Sequence, residues 1–218
     1  MTDPAPFVPQ GSPEWFAARL GKATASRIAD LAARTKSGYG ASRANYLAEL
    51  VVERLTGQPA ERYQNEAMRW GTEQEPAARA AYEFMADAEV GLCGFIPHPA
   101  IADAGASPDG LIGADGLIEI KCPGSAVHIE TLLGAPIADR YLKQMQFQMA
   151  CAERAWCAFV SFDPRMPPAM QLFIQRVPRD EATIAALEAE TRTFLDELAA
   201  KVAALEARYG AAAEQEAA

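Results

Sequence analysis

The sequence predicts an α/β fold: one domain with a mixed central β-sheet flanked by α-helices. Three observations predict it. Helical patterns fill the first part of the chain, short apolar strands follow from about residue 90, and helix and strand then alternate to a long final helix. The length, 218 residues, fits a single domain. Half of the residues are apolar, enough for a full core without disulfide or metal staples.

The elements follow in order. Residues 1–11, with Pro4, Pro6 and Pro9, read as a flexible lead-in. Ser12-Pro13-Glu14 joins a capping serine, a proline at the first helical position and an acid in the first turn. It predicts a short helix through Trp15 to Leu20, stopped by Gly21. Thr24 or Ser26 opens a second helix to about Arg34, and Thr35 to Gly40 is a loop. Ser42 to Thr56 is an amphipathic helix with Tyr46, Leu47, Leu50, Val51 and Leu55 on one stripe. A fourth helix spans about Glu66 to Ala86. Strands are expected over Val90–Ile96, Gly116–Lys121, Ala155–Phe162 and Met170–Val177. A helix from about Ile137 to Ala152 lies between the second and third of them. From Arg179 to about Tyr209 runs an Ala/Glu/Leu helix burying Ile184, Leu187, Phe194, Leu195, Leu198 and Val202. The domain thus spans 12–209, and the Ala/Glu tail over 210–218 is expected to fray. There is no internal repeat.

Composition narrows the function. The four cysteines, Cys93, Cys122, Cys151 and Cys157, form no CxxC pair, so a zinc site is disfavoured and the thiols read as scattered and reduced. No apolar run approaches the ~20 residues of a spanning helix, and no basic segment followed by an apolar one opens the chain. The expected compartment is the cytoplasm, with no membrane partner. The net charge of −9 counts mildly against nucleic acid, since phosphate attracts cations. It does not exclude a locally favourable groove, or one made favourable by bound divalent ions.

Chemistry concentrates in Ser107-Pro108-Asp109-Gly110 and, after eight intervening residues, Glu119-Ile120-Lys121. Asp109 sits at a turn before a strand. Glu119 and Lys121, two apart in a strand, share a face with Leu117, while Ile118 and Ile120 point the other way. Charge on an otherwise apolar strand is costly when buried. The bland alternative is an exposed face carrying a weak ion pair, and for an isolated D…ExK pattern it would be preferred. The chemical reading is two carboxylates that hold Mg²⁺, an ion that demands oxygen ligands, beside a lysine that orients water or offsets developing charge. Metal, nucleophile positioning and charge stabilisation together are what phosphate-ester hydrolysis requires.

A wider set of segments resembles the phage λ exonuclease group, the YqaJ-type viral recombinase nucleases of the PD-(D/E)XK superfamily. They are Glu14-Trp15-Phe16-Ala17-Ala18-Arg19-Leu20-Gly21 with Thr24-Ala25-Ser26; Trp70-Gly71 with Glu75; Ser107-Pro108-Asp109-Gly110-Leu111; Leu117-Ile118-Glu119-Ile120-Lys121-Cys122-Pro123; Tyr141 with Gln144 and Gln146; and Asp163-Pro164-Arg165-Met166. They stand in the family's order and cover roughly residues 11 to 205. Each is weak alone, and together they are specific.

The resemblance implies a PD-(D/E)XK nuclease fold and a set of roles. Asp109 and Glu119, helped by the Ile120 carbonyl, would ligate magnesium. Glu75 would complete the site for a second ion, with Mn²⁺ as the alternative metal. Lys121 would position the attacking water, and Gln144 would line the same site. Arg19, Ser26 and Ser107 match positions that hold a 5′-terminal phosphate. From the residues alone, Arg19 reads as a surface charge and Ser26 as a helix cap. Tyr141 packs beside the site or serves as an ordinary core aromatic. Lys36 aligns with a residue that reaches duplex DNA, and Met68 with an apolar wedge at the terminal base pair; an exposed loop lysine and core filler are the bland readings. The helix around Ala77 to Ala80 and the tail after Gly210 depart from the family.

The implied activity is 5′→3′ hydrolysis from the ends of double-stranded DNA, releasing 5′-mononucleotides and leaving a 3′ single strand. The family also implies a homotrimeric ring, a single-strand annealing protein as partner, and a role in phage recombination. The alternatives are a restriction-type endonuclease or a single-strand exonuclease of the same fold, a non-catalytic DNA-binding recombination adaptor and, more remotely, a magnesium-dependent hydrolase of a non-nucleic substrate.

Overall fold

The computed structural model describes residues 8–36, 38–60 and 65–216, and of residues 210–216 the backbone alone. The expectation of a flexible lead-in falls for the most part on residues outside this set. In chain order the helices are α1 Pro13–Arg19, α2 Ile28–Leu31, α3 Ala41–Thr56, α4 Glu66–Ala86, α5 Ser125–Leu132, α6 Asp139–Ala152 and α7 Glu181–Glu216. The strands are β1 Ala23–Thr24, β2 Arg34–Thr35, β3 Gly38–Tyr39, β4 Val90–Gly91, β5 Ile96–Pro97, β6 Ala104–Ala106, β7 Gly110–Ile112, β8 Gly116–Lys121, β9 Trp156–Phe162 and β10 Leu172–Pro178. Among the described residues no helix is long and apolar enough to cross a membrane.

The main sheet has the order β10-β9-β8-β7-β4. It is mixed: β8 and β9 run parallel, and the other neighbours are antiparallel. The parallel step needs a crossover, which α5 and α6 supply. Period-two alternation then splits β8 between two cores. Ile118 and Ile120 pack with Ala78 and Tyr82 of α4, while Leu117 packs with Met145 and Met149 of α6. A smaller sheet, β1-β6-β5, lies over a third core in which α2, α3, α6 and α7 meet. There Tyr46 and Phe194 stack with centroids 5.3 Å apart.

The strongly patterned elements fall where the sequence places them. Ser12 caps α1 by accepting a hydrogen bond from the Trp15 amide, with Pro13 behind it. The α3 stripe is buried except at Leu55, and Ile184, Leu187, Phe194 and Leu198 of α7 are buried.

Three expectations are corrected, and one helix is found that the sequence pattern did not indicate. The second helix begins later: Ala23–Thr24 is a strand paired in parallel with Ala104–Gly105, and a 3₁₀ turn over Ala25–Arg27 precedes α2. A pairing partner some 80 residues away leaves no local signal. The loop over 35–40 contains part of a hairpin, β2 with β3. The strand expected over Val90–Ile96 is two short strands in different sheets. The chain breaks between them where Gly94 passes so close to Val8 that a Cβ would sit 2.6 Å from its carbonyl oxygen. Finally, α5 was not foreseen because its apolar residues face outward, Val127 60 % exposed, while the residue it buries is His128. That ring lies between Ser161 Oγ and the Met170 carbonyl, 2.8 Å from each.

Candidate active site

The register of the main sheet builds the acidic site. The antiparallel ladder of β7 and β8 ends at Gly110↔Ile118, so Asp109 stands one step further, opposite Glu119 and on its face. Beyond the ladder the Ile120 amide has lost its strand partner on that side. It donates instead to Asp109 Oδ2 at 2.6 Å. At Gly110 the side chains of β4 and β8 close in on β7, since a Cβ there would sit 2.2 Å from Val90 Cγ1 and 3.2 Å from Ile118 Cγ2.

Glu119 is 1 % exposed, which rules out the reading of an exposed face with a weak ion pair. Its Oε1 accepts from Gln144 Nε2 at 2.7 Å and from Lys121 Nζ, and its Oε2 accepts from Gln148 Nε2 at 2.6 Å. Both glutamines come from α6, one turn apart. A buried carboxylate is tolerable when its oxygens are this fully supplied with donors. The Lys121 ammonium also lies 4.9 Å from the centre of the Tyr141 ring, so Tyr141 is beside the site as well as packed on Phe159.

Charges in the site shift one another. Burial, then the Glu119 charge, then that of Glu75 hold the half-buried Asp109 carboxyl well above its usual range, against the pull of Lys121 and the Ile120 amide. Burial alone would lower the Lys121 amine; Glu119 and Asp109 outweigh it and raise it above its ordinary value. Lys121 is therefore a cation here, suited to offset charge rather than to accept a proton. The neighbouring Cys122 thiol is pushed by burial to about 12 and offers no thiolate. The remaining donors are carboxylate and carbonyl oxygens, which suits a hard divalent cation. Among the described residues no three His, Cys, Asp or Glu are gathered closely enough to hold an ion as they stand. Glu75 Oε1 is turned to Arg79 at 2.6 Å.

These residues line one cleft of about 1290 Å³. Asp109, Glu119, Ile120, Lys121, Tyr141 and Gln144 share it with Glu75 and Met68 of α4, and with Arg19, Ser26 and Ser107. The last three form a compact cluster. Arg19 donates to Ser107 Oγ at 2.9 Å and reaches Ser26 Oγ at 3.5 Å. Trp15 Nε1 donates to Ser107 Oγ at 3.0 Å, and its ring lies 4.2 Å beneath the Arg19 guanidinium. Arg19 is thus a lining residue, and Ser26 lies inside the 3₁₀ turn, with Thr24 at the cap of that turn and Arg27 at the cap of α2, so Ser26 is no helix cap. Lys36 is the exception: it lies exposed in the hairpin turn and is not among the residues lining the cleft.

The sequence reading missed Gln148, Trp15 and Arg165. A signal existed for Gln148, which follows Gln144 at helical spacing. For Arg165 there was a motif but no role. Its guanidinium is clasped by the buried Asp163 at 2.7 and 3.0 Å and lies 4.6 Å over the Trp70 ring, forming part of the cleft wall. Gln146, in contrast, faces away from the site and ties Pro178 and Asp180 to α6.

Comparison with known proteins agrees with this geometry. Residues 14–155 match the YqaJ-like viral recombinase domain. Among solved structures, the chain is similar to an alkaline exonuclease, LHK-Exo, from Laribacter hongkongensis. The two share 52 % identity over 91 % of this chain and 98 % of that one, with a TM-score of 0.85, and the same figures hold for LHK-Exo in complex with dAMP. A phage-related exonuclease from Haemophilus somnus 129PT, 15 % identical over 83 % of this chain and 96 % of that one, has a TM-score of 0.62 and attests the fold. Among curated proteins none matches. With a matched domain over most of its length and a homologous exonuclease superposing on nearly all of it, the chain belongs to the YqaJ-like viral recombinase domain family and is an exonuclease of that family.

Proposed function

We propose that the chain degrades double-stranded DNA from its ends, 5′→3′ and dependent on Mg²⁺, with Mn²⁺ able to substitute. It releases 5′-mononucleotides and leaves a 3′ single strand for annealing-type recombination in phage or prophage. One observation carries this reading. The Arg19–Ser26–Ser107 cluster is joined to the acidic site through the segment Ser107-Pro108-Asp109, so a group held by Ser107 lies at a fixed, short chain distance from Asp109. A terminal phosphate accepting hydrogen bonds from an arginine fork and two hydroxyls would place a nearby phosphodiester at the carboxylates. The dAMP named for LHK-Exo is of the product type proposed here.

Asp109, Glu119 and the Ile120 carbonyl are the donors proposed for one divalent ion, and Glu75 for a second. The ions would stabilise charge on the phosphodiester and lower the pKa of water. Gln144 orients Glu119. Lys121 supplies a fixed positive charge for the phosphorane-like transition state. Met68, 54 % exposed on the first turn of α4, is proposed as the wedge at the terminal base pair, and Lys36 as a contact to the duplex beyond the cleft. A homotrimeric ring, a single-strand annealing partner and a cytoplasmic setting complete the proposal.

The test is a linear duplex labelled at either the 5′ or the 3′ end, incubated with and without Mg²⁺. Labelled mononucleotide is expected first from the 5′ end, and only with the metal. Release from the 3′ end first, or undiminished release in chelator, would refute the reading.

A further inference from the structure

Most buried positions around the second half of α6 are apolar: Met145, Phe147, Met149, Ala150 and Cys151. Gln148 interrupts them. It is 0 % exposed, yet it carries a primary amide, and only half of that amide is satisfied. Nε2 donates to Glu119 Oε2 at 2.6 Å, whereas Oε1 is buried with no hydrogen-bond partner. A methionine of similar length would fill this volume at no polar cost. The compensation visible for placing an amide here is its bond to Glu119.

That bond divides the labour on the carboxylate. Oε1 of Glu119 takes two donors, Lys121 and Gln144, whereas Oε2 takes Gln148. A carboxylate oxygen accepts about two hydrogen bonds, so Oε1 is filled and Oε2 keeps capacity. With Gln144 and Gln148 acting from successive turns of one helix on opposite oxygens, the carboxylate plane is fixed, and the less loaded oxygen is fixed with it.

We infer that Gln148 is a positioning residue that presents Glu119 Oε2 to a divalent cation. The inference rests on the metal-dependent reading above. Groups that orient a ligating carboxylate in this way affect metal affinity or activity by ~10–100-fold.

The experiment compares wild type with Gln148→Met, which keeps volume and removes the donor, and Gln148→Glu, which keeps shape and reverses the polarity facing Glu119. Mn²⁺ affinity of the DNA-free protein is measured by calorimetry. The Mg²⁺ concentration giving half-maximal rate, kcat, KM and the thermal midpoint are measured alongside. In Gln148→Met a loss of Mn²⁺ affinity of about tenfold is expected, with a matching rise in the Mg²⁺ requirement and a fall in kcat. KM for duplex should stay near wild type and the midpoint should be unchanged or raised. Gln148→Glu should be more severely affected, because it sets a second carboxylate against Glu119. Wild-type Mn²⁺ affinity and Mg²⁺ requirement in Gln148→Met, or a lowered thermal midpoint as its only change, would overturn the inference and leave the metal-dependent reading standing. A wild-type protein that binds no Mn²⁺ and hydrolyses without metal would overturn both.

Discussion

Glu119 and Lys121 show how a two-residue spacing becomes chemistry. In a strand the spacing only puts them on one face; burial of that face under α6 makes their charges matter. The ammonium sits against a carboxylate whose remaining donors are neutral amides, so it is the cation nearest to Glu119. Lys121→Ala should therefore reduce mononucleotide release by about 10²–10³-fold while binding of duplex, measured by filter retention, persists. A variant digesting at the normal rate would remove Lys121 from the mechanism. Asp163 gives a second residue-scale prediction. The Arg165 guanidinium, outweighing burial, holds its carboxyl down at about 2. A carboxyl depressed on folding stabilises the protein above its unfolded value, about 3.9, and that contribution is lost as pH falls through the folded one. Asp163→Asn should therefore melt a few degrees below wild type at pH 7, and the gap should close between about pH 4 and pH 2. A gap constant across that range would show that the destabilisation does not come from the charge of the Asp163 carboxyl.

Among the elements, legibility followed the location of the partner. Helices α3 and α7 were readable because amphipathic stripes state their own burial: Tyr46, Leu50, Phe194 and Leu198 are all buried within one core. Strand β8 was readable as a compact apolar run. The short strand β1 was not, since it exists only through pairing with the distant β6, and β5 and β6, although they pair with each other locally, are too short to show a period. Helix α5 was hidden by a buried histidine. The packing of α7 on α3 has a measurable consequence. Phe194→Ala removes the ring stacked on Tyr46 at a fully buried position and should cost ~3–5 kcal/mol in denaturant unfolding. A loss below about 1 kcal/mol would mean that the neighbouring helices close the cavity, for a Leu-sized void typically costs more.

At the scale of the whole molecule, charge and substrate are reconciled by distribution. The chain carries −9, yet the cleft lining is balanced: Arg19, Arg69, Lys121, Arg140 and Arg165 face Glu66, Glu73, Glu75, Asp109 and Glu119. Divalent ions would tip that balance toward phosphate. An Arg19 cluster that holds a terminal phosphate beside Asp109 makes the proposed activity depend on ends. Closed circular duplex should survive incubation with Mg²⁺ that consumes the same molecule once linearised. A 5′-hydroxyl end should be degraded at least about tenfold more slowly than a 5′-phosphate end, since an arginine–phosphate pair contributes more than 1.4 kcal/mol. Digestion of the circle, or equal rates on both ends, would count against the end pocket.

By itself the sequence determined the class of fold and the strongly periodic helices and singled out Asp109, Glu119 and Lys121 as candidates, with Arg19 entering only through the family resemblance, because residue type, spacing and order within the chain are local properties. The tertiary structure alone decided that Glu119 is buried rather than exposed, that Ser107 and Asp109 link the two parts of one cleft, that Lys36 stands outside it, and that Gln148 holds the second carboxylate oxygen. Each of these depends on the register between strands and on which helix covers which face. Those are distances between residues far apart in the chain, and a linear pattern carries no record of them.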